Sequence, residues 1–438
     1  MTRESAAPLI RPAIADAAAG LGAGPLTEEA VRRHIHPLFK RVLARDEIYL
    51  ANHSLGRPLD LAAEDVREAM DLWYARMDHA WPAWMDAMRR FRALQARLIG
   101  CARPDAIVPR VSAGQGVRAV LNALAQDRPR VVTTRGEFDS VDHILKTYAR
   151  RGRAQVRWVD PDARGLFSAR AVCDAVREGA DLVVVSVVYF VTGQVLEGLD
   201  EIVRTAHEHG AMVLLDAYHG AGAIPLDFDR LGPDFAVGGN YKYTRGGPGA
   251  AWLAVHPRHL RDEGEPAIFT LDTGWFAKRA VFDFRRPESP ELAPGGDAWL
   301  EATPAVLTSY QALAGLELTT SIGVERLRPY NLEQQAFLED ELASRGVPVL
   351  DIEPHGAFLL IPTDDFQGLC ARVLEEGVNV DARPALAPPK MPGAAAPPAP
   401  ARGAAGRPGY VRVCPDLLNT RAELAEAALR IARAFERS

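Results

Sequence analysis

VLLDAYHGAGAIPLDFDRLGPDFAVGGNYKYTRGGPGAAWLAV, residues 213–255, is the stretch on which the reading of this chain turns. It opens with an apolar run, Val213-Leu214-Leu215, that has the pattern of a buried parallel strand, and it ends on Asp216. An acid at the carboxyl end of such a strand faces the crevice where open α/β sheets bind ligands. A second apolar run, Phe235–Gly239, leads into Asn240-Tyr241-Lys242-Tyr243. A glycine-rich turn, Gly246-Gly247-Pro248-Gly249, and a third run from Ala250 to Val255 follow.

Taken singly, these residues are ordinary: an aspartate at a strand end caps helices, and a lysine decorates a surface. Together they suit pyridoxal phosphate. That cofactor needs an amine for its Schiff base and an anion against its pyridinium nitrogen, so that the ring can draw off electrons. Lys242 supplies the amine, Asp216 the anion, and His219 stands three residues beyond Asp216.

Upstream, Asp181–Val188 is the strongest strand pattern in the chain, and Leu199–Glu208 has helical spacing before the next strand. Such strand–helix–strand alternation predicts a mostly parallel sheet with right-handed crossovers. Earlier still, Arg110-Val111-Ser112-Ala113-Gly114-Gln115-Gly116 is a turn of small residues ahead of an apolar helix, a place where free N–H groups and the helix dipole meet an anion. A strand at 130–134 precedes Glu137-Phe138-Asp139-Ser140. Residues 60–100 have helical periodicity, with Trp73, Trp81 and Trp84 expected in the core. Thr27 caps a helix expected to run to about Ala44, and residues 1–25 are expected to be loosely ordered.

D-A-Y-H at 216–219, N-Y-K-Y at 240–243 and the glycine turn after it resemble the cofactor site of the kynureninases, members of the class V aminotransferase group of fold-type I pyridoxal-phosphate enzymes. Further matches appear in order along residues 47–435: Tyr49 to Gly56 for the family's opening Y-L-x-x-N-S-L-G-like segment, Tyr189–Gln194 for F-Y-T-G-Q, Gly274-Trp275-Phe276 for G-W-F, and Asp381 with Arg383 for D-x-R-x-P. The resemblance implies an α/β fold: a mostly parallel central sheet flanked by helices, with a smaller α+β C-terminal domain. It implies that Lys242, Asp216 and His219 are catalytic. Gly114, Gln115, Phe138, Ser186 and Tyr241 join them around the cofactor, with Trp275 and Thr303 reaching the phosphate side from a partner subunit. Arg412 holds the substrate α-carboxylate, for which its planar fork is suited. Asn52 and His53 stand where kynureninases carry Gly-Asn, at the substrate side. The activity implied is hydrolytic Cβ–Cγ cleavage of kynurenine or a related amino acid, giving alanine. A class V aminotransferase, β-lyase or desulfurase acting on another amino acid is the alternative.

Four features depart from the kynureninase pattern: Tyr218 where a small residue usually stands, Ala302 with Thr303, a C-terminal V-R-x-x-P…L-N-T segment, and a Pro/Ala/Gly-rich insertion at 384–408. They favour a relative turned to another amino acid. Such an insertion cannot bury a core, so it is expected to be flexible, and its place beside the carboxylate site suits a lid. The expected organisation is an N-terminal arm and helix (1–46), a large cofactor-binding domain (47–310) and a small C-terminal domain (311–438). A helix is expected from Ala312 to Arg328, and another from Glu333 to Arg345.

A net charge of −6 offers no electrostatic reason for nucleic-acid or membrane binding. Four scattered cysteines without a CxxC pair argue against a zinc ribbon or disulfide framework and for a reducing cytoplasm. No stretch approaches the roughly 20 apolar residues that span a bilayer, and no metal site is expected, since His207-Glu208-His209 would splay its rings to different helix faces. The partners expected are a small amino acid and a second copy of the chain, with active sites at the interface.

Overall fold

Uninterrupted runs of branched aliphatic residues have to be covered on both faces, and the chain uses them so. In the computed structural model, which describes residues 9–263, 266–386 and 408–437, the first strand is the short β1 (Ile48–Tyr49). The next seven are β2 (Ile107–Arg110), β3 (Arg130–Thr134), β4 (Gln155–Val159), β5 (Leu182–Ser186), β6 (Met212–Asp216), β7 (Phe235–Gly239) and β8 (Ala251–Val255). They form one sheet in the order β2-β8-β7-β6-β5-β3-β4. The pairings from β4 across to β7 are parallel, and β8 alone runs against its neighbours. Helices Ala113–Leu121, Asp139–Arg150, Ala169–Arg177 and Leu199–Glu208 pack against this sheet. Register sets Ser186 beside Asp216, and Asp216 beside Val237, so the carboxyl ends of β5, β6 and β7 open into one crevice.

The C-terminal part has its own core and sheet. Strands β9 (Leu359–Thr363), β11 (Asp381–Pro384) and β12 (Gly409–Val413) pair antiparallel in the order β11-β12-β9, and this register puts Asp381 opposite Arg412. Strand β10 (Val378–Asn379) pairs in parallel with β1, which draws the N-terminal loop onto this unit. The last helix, Arg421–Glu436, opens with a full capping box: the Thr420 hydroxyl accepts from Glu423 N–H, and the Glu423 carboxylate accepts from Thr420 N–H.

Four expectations need correction. Residues 12–20 are a helix rather than loose chain, with Ile14 and Ala18 buried. Its anchor is Arg11, whose guanidinium reaches Asp65 at 2.7 Å and the fully buried Glu317 at 2.8 Å. Those partners lie 54 and 306 residues away, so no local pattern announces them. Trp73 is 49% exposed rather than core; it lies edge-on to Trp84 at 6.3 Å. The helix expected from Ala312 to Arg328 is instead two, Val306–Ile322 and Val324–Ala343. Gly323, at φ 88°, breaks them apart in a conformation that glycine adopts without a Cβ penalty. The helix N-capped by Thr27 ends at His34, short of Ala44. Most of the Pro/Ala/Gly-rich insertion lies outside the described residues.

Arg11→Ala strips two carboxylates of a shared cation and leaves Arg90 as the remaining partner of Glu317. Because Arg11 keeps one-fifth of its side chain exposed, the expected loss is about 2–3 kcal/mol, below the roughly 3–5 kcal/mol for breaking a fully buried pair. A urea melt checks this; an unchanged midpoint would show that the N-terminal helix is held by its apolar contacts alone.

Candidate active site

The crevice at the strand ends is a cavity whose lining includes Ser112, Ala113 and Gly114 from a helix start, Asp216, Tyr218 and Lys242 at or just beyond the ends of two strands, and Phe138, Ser186 and Phe190. Each is delivered by the fold. Ser112 caps the helix Ala113–Leu121, its hydroxyl accepting from Gln115 N–H at 3.2 Å. The first-turn N–H groups of Ala113 and Gly114 have no carbonyl inside the helix to bond. Phe138 ends the β3 turn and meets Phe190 edge-on at 5.2 Å. Asp216 ends β6, and its carboxylate accepts from Tyr218 N–H at 2.9 Å.

Lys242 is 6% exposed. Its amine donates to the His53 carbonyl at 2.8 Å and lies 3.0 Å from His219 Nε2. Burial, reinforced by the nearby Arg412 charge, lowers its pKa to about 7. Burial also pushes the His219 and His53 imidazoles well below their usual range, so both are neutral in the folded chain. Asp216 goes the other way, up to about 6, because burial disfavours its charge more than the Tyr218 amide and Lys242 favour it.

These groups fit pyridoxal phosphate. Asp216 is a buried carboxylate facing a cavity with no cation hydrogen-bonded to it, which is the position a protonated ring nitrogen completes. Lys242 offers a free amine in the same lining, and the open helix turn at Ser112–Gly114 offers neutral donors for an anion.

Of the other residues singled out in the sequence, Gly114, Phe138, Ser186, His219 and Tyr241 line the same cavity. The Ser186 hydroxyl is already committed, donating to Glu137 at 2.6 Å. Gln115 does not enter the cavity. Three positions past the N-cap its side chain turns to the helix flank, where it accepts from Val111 N–H and donates to Glu301 at 2.7 Å. Asn52 lies behind Lys242, donating to the Cys414 carbonyl at 3.0 Å. His53 is fully buried against Phe358; among the described residues neither ring nitrogen has a hydrogen-bond partner, and Nε2 lies 3.8 Å from the Asp381 carboxylate. Trp275 and Thr303 are bonded to each other at 3.3 Å outside this cavity. Arg412, 1% exposed, donates to Asp381 at 2.5 Å and to the Phe190 carbonyl, and stacks over Phe358.

Sequence reasoning passed over Glu137 and the partners of Arg412. Glu137 is buried and pushed up to about 8, although Ser186 and Thr134 both donate to it. Its only local sign is an acid one residue before the aromatic that follows β3. Asp381 takes up Arg412 and also the Ser54 hydroxyl, a junction that only the β11–β12 register creates.

The sequence profile of the family "Aminotransferase class-V" matches residues 74–357. A kynureninase of Geobacillus thermodenitrificans NG80-2 is 28% identical, with 82% of this chain and 86% of that protein aligned. A kynureninase of Stenotrophomonas maltophilia K279a is 30% identical over 70% of this chain and 75% of its own length. Among solved structures, the cystine C-S lyase C-DES in complex with cysteine persulfide superposes with a TM-score of 0.75, covering 90% of this chain and 99% of its own at 21% identity, which is a likeness of fold.

A lysine amine with its pKa near 7 reacts at neutral pH, where an exposed lysine is almost wholly protonated. Labelling of Lys242 in the apoprotein by an acylating reagent is expected to rise to half its limit at pH of about 7. In Arg412→Met, which removes the second-largest cause of the depression, the midpoint moves to higher pH. Peptide mass spectrometry against pH reads both; a wild-type midpoint near 10 would overturn the electrostatic account.

Proposed function

The chain belongs to the class-V aminotransferase family, as a kynureninase-like enzyme whose cofactor is pyridoxal 5′-phosphate, and from that premise we propose that it hydrolyses the Cβ–Cγ bond of kynurenine or a related amino acid, releasing alanine. The observation that carries this reading is a buried guanidinium, Arg412, close enough to the Lys242 amine to help lower its pKa to about 7. One group is suited to the α-carboxylate of an amino acid, the other to its α-proton.

When bound, pyridoxal phosphate supplies the electron sink for bond cleavage beside the α-carbon. Asp216 keeps a negative charge facing the ring-nitrogen position from the end of β6. Lys242, poised between its charged and neutral forms near pH 7, accepts a proton at Nζ and returns it, and His219 and the His53 carbonyl fix where that nitrogen points. An incoming carboxylate competes with Asp381 for the Arg412 fork, so binding exchanges one carboxylate for another in a nearly water-free setting. Phe138 and Phe190 give the cavity an apolar flank against which an aromatic substrate packs.

The active form we propose is a homodimer. Trp275 lies in an aromatic cluster with Phe276, Phe282 and Trp81, and Phe282 is half exposed. With Trp275 and Thr303 outside their own cavity, a second copy is the route by which they reach a phosphate. A desulfurase is disfavoured by the cysteines. Cys414 is buried, donates to the Ala357 carbonyl at 3.0 Å and is driven far above the thiolate range by burial, and none of the four cysteines lines the cavity.

The purified enzyme should show a visible cofactor band that Lys242→Ala abolishes, and should convert kynurenine or 3-hydroxykynurenine into alanine and an anthranilate. Lys242→Ala is expected to lower that rate by about 10²–10⁴-fold or more, the range for a displaced general base. A wild-type band that neither compound perturbs would assign the cavity to a different amino acid, and a screen of amino donors and β-substituted amino acids would follow.

A further inference from the structure

Tyr218 stands two residues past Asp216 and lines the cavity beside the lysine. Its side chain runs away from β6 and ends against Gly239, the last residue of β7: a Cβ placed on Gly239 would collide with the Tyr218 hydroxyl and ring. A large residue at 218 and none at 239 are therefore a matched pair, and the match carries the phenol to the carboxyl end of β7.

The helix Ala113–Leu121 also packs at β7. A Cβ on Gly116, one turn into that helix, would lie 2.6 Å from Val237 Cγ1. The open N–H groups of Ala113 and Gly114 and the Tyr218 side chain consequently border a single cavity. Tyr241 completes it: the two tyrosine rings lie 5.0 Å apart and tilted by 50°. Burial raises both phenols, so both remain proton donors at any working pH.

Among the described side chains lining this cavity Lys242 is the one basic amine or guanidinium, and its amine is turned to His53 and His219. A phosphate at the helix end meets neutral donors from the cavity lining, with the Arg118 guanidinium flanking Gly114 outside it, and a dianion rewards each added donor because hydrogen bonds to charged groups are the strong ones.

We propose that Tyr218 is a cofactor-holding residue whose hydroxyl, paired with that of Tyr241, clamps the phosphate group of pyridoxal phosphate; this rests on the cofactor assignment above. The clamp grips the phosphate and not the ring, and the test follows from that distinction.

Apoenzyme is titrated with pyridoxal phosphate, with pyridoxal lacking the phosphate, and with inorganic phosphate, followed by tryptophan fluorescence. Tyr218→Phe is expected to weaken pyridoxal phosphate and inorganic phosphate by roughly 10- to 100-fold while leaving pyridoxal unchanged. Equal weakening of pyridoxal phosphate and pyridoxal would reduce Tyr218 to a packing residue, and undiminished pyridoxal phosphate affinity would overturn the proposal outright. Gly239→Ala, which evicts the phenol, is expected to reproduce the phosphate-selective loss. Tyr218→Ala/Gly239→Ala relieves the collision and restores thermal stability without restoring phosphate affinity; recovery of that affinity would again sink the clamp. Wild-type apoenzyme that binds neither pyridoxal phosphate nor pyridoxal would remove the cofactor assignment itself, an outcome distinct from any result on Tyr218 alone.

Discussion

An ammonium that is 6% exposed cannot keep its charge cheaply, and much of the molecule is arranged around the desolvation of Lys242. The amine is oriented by a carbonyl and an imidazole, while burial and a guanidinium close by favour its neutral form. Holding it there takes backbone as well as side chains. Gly56 N–H donates to the Tyr241 carbonyl at 2.7 Å, and a Cβ on Gly56 would run into the Lys242 carbonyl. Gly315, inside the helix Val306–Ile322, touches the Thr244 carbonyl in the same intolerant way. Arg245, at φ 58°, sits in a region that non-glycine residues seldom occupy. It is kept there by bonds to the Tyr243 carbonyl at 2.6 Å and to Asp416 at 2.7 Å. Asp416 also accepts from Arg57, so the N-terminal loop, the lysine turn and the C-terminal segment are tied at one buried junction.

Three acids near this junction show how environment, not residue type, assigns a role. Asp216 faces the cavity and is pushed up by burial, which outweighs the Tyr218 amide and Lys242. Glu137 is deeper, surrounded by hydroxyl donors, and is pushed up further, which suits a neutral acid bracing Ser186 and Thr134. Asp381 is held below its usual range, since Arg412, Arg383 and Ser54 outweigh the cost of its burial. The first is ready to balance a positive ring, the second to brace the strand ends, and the third to yield Arg412 to a better-placed carboxylate.

Periodicity and strand-end chemistry depend on neighbours along the chain, and they were legible. The runs at 182–186, 212–216, 235–239 and 251–255 are strands, and Asp216, His219 and Lys242 lie around one cavity. Where reading went astray, the deciding contact was remote. The helix at 12–20 depends on Glu317, and the exposure of Trp73 depends on how the helix that carries it packs. Gln115 was misplaced for a geometric reason: three residues of helix rotation carry a side chain off the N-terminal face.

The sequence by itself determined the strands at 130–134, 182–186, 212–216, 235–239 and 251–255 and the identity of the acid, amine and imidazole at the cavity, because each is written in local spacing and residue chemistry. Only the tertiary structure decided that Asp381 occupies the Arg412 fork, that Asn52 lies behind the lysine, and that the Tyr218 phenol fills the space Gly239 vacates. Those outcomes turn on strand register and on which atoms exclude one another across the sheet, and neither is a property of any one segment of the chain.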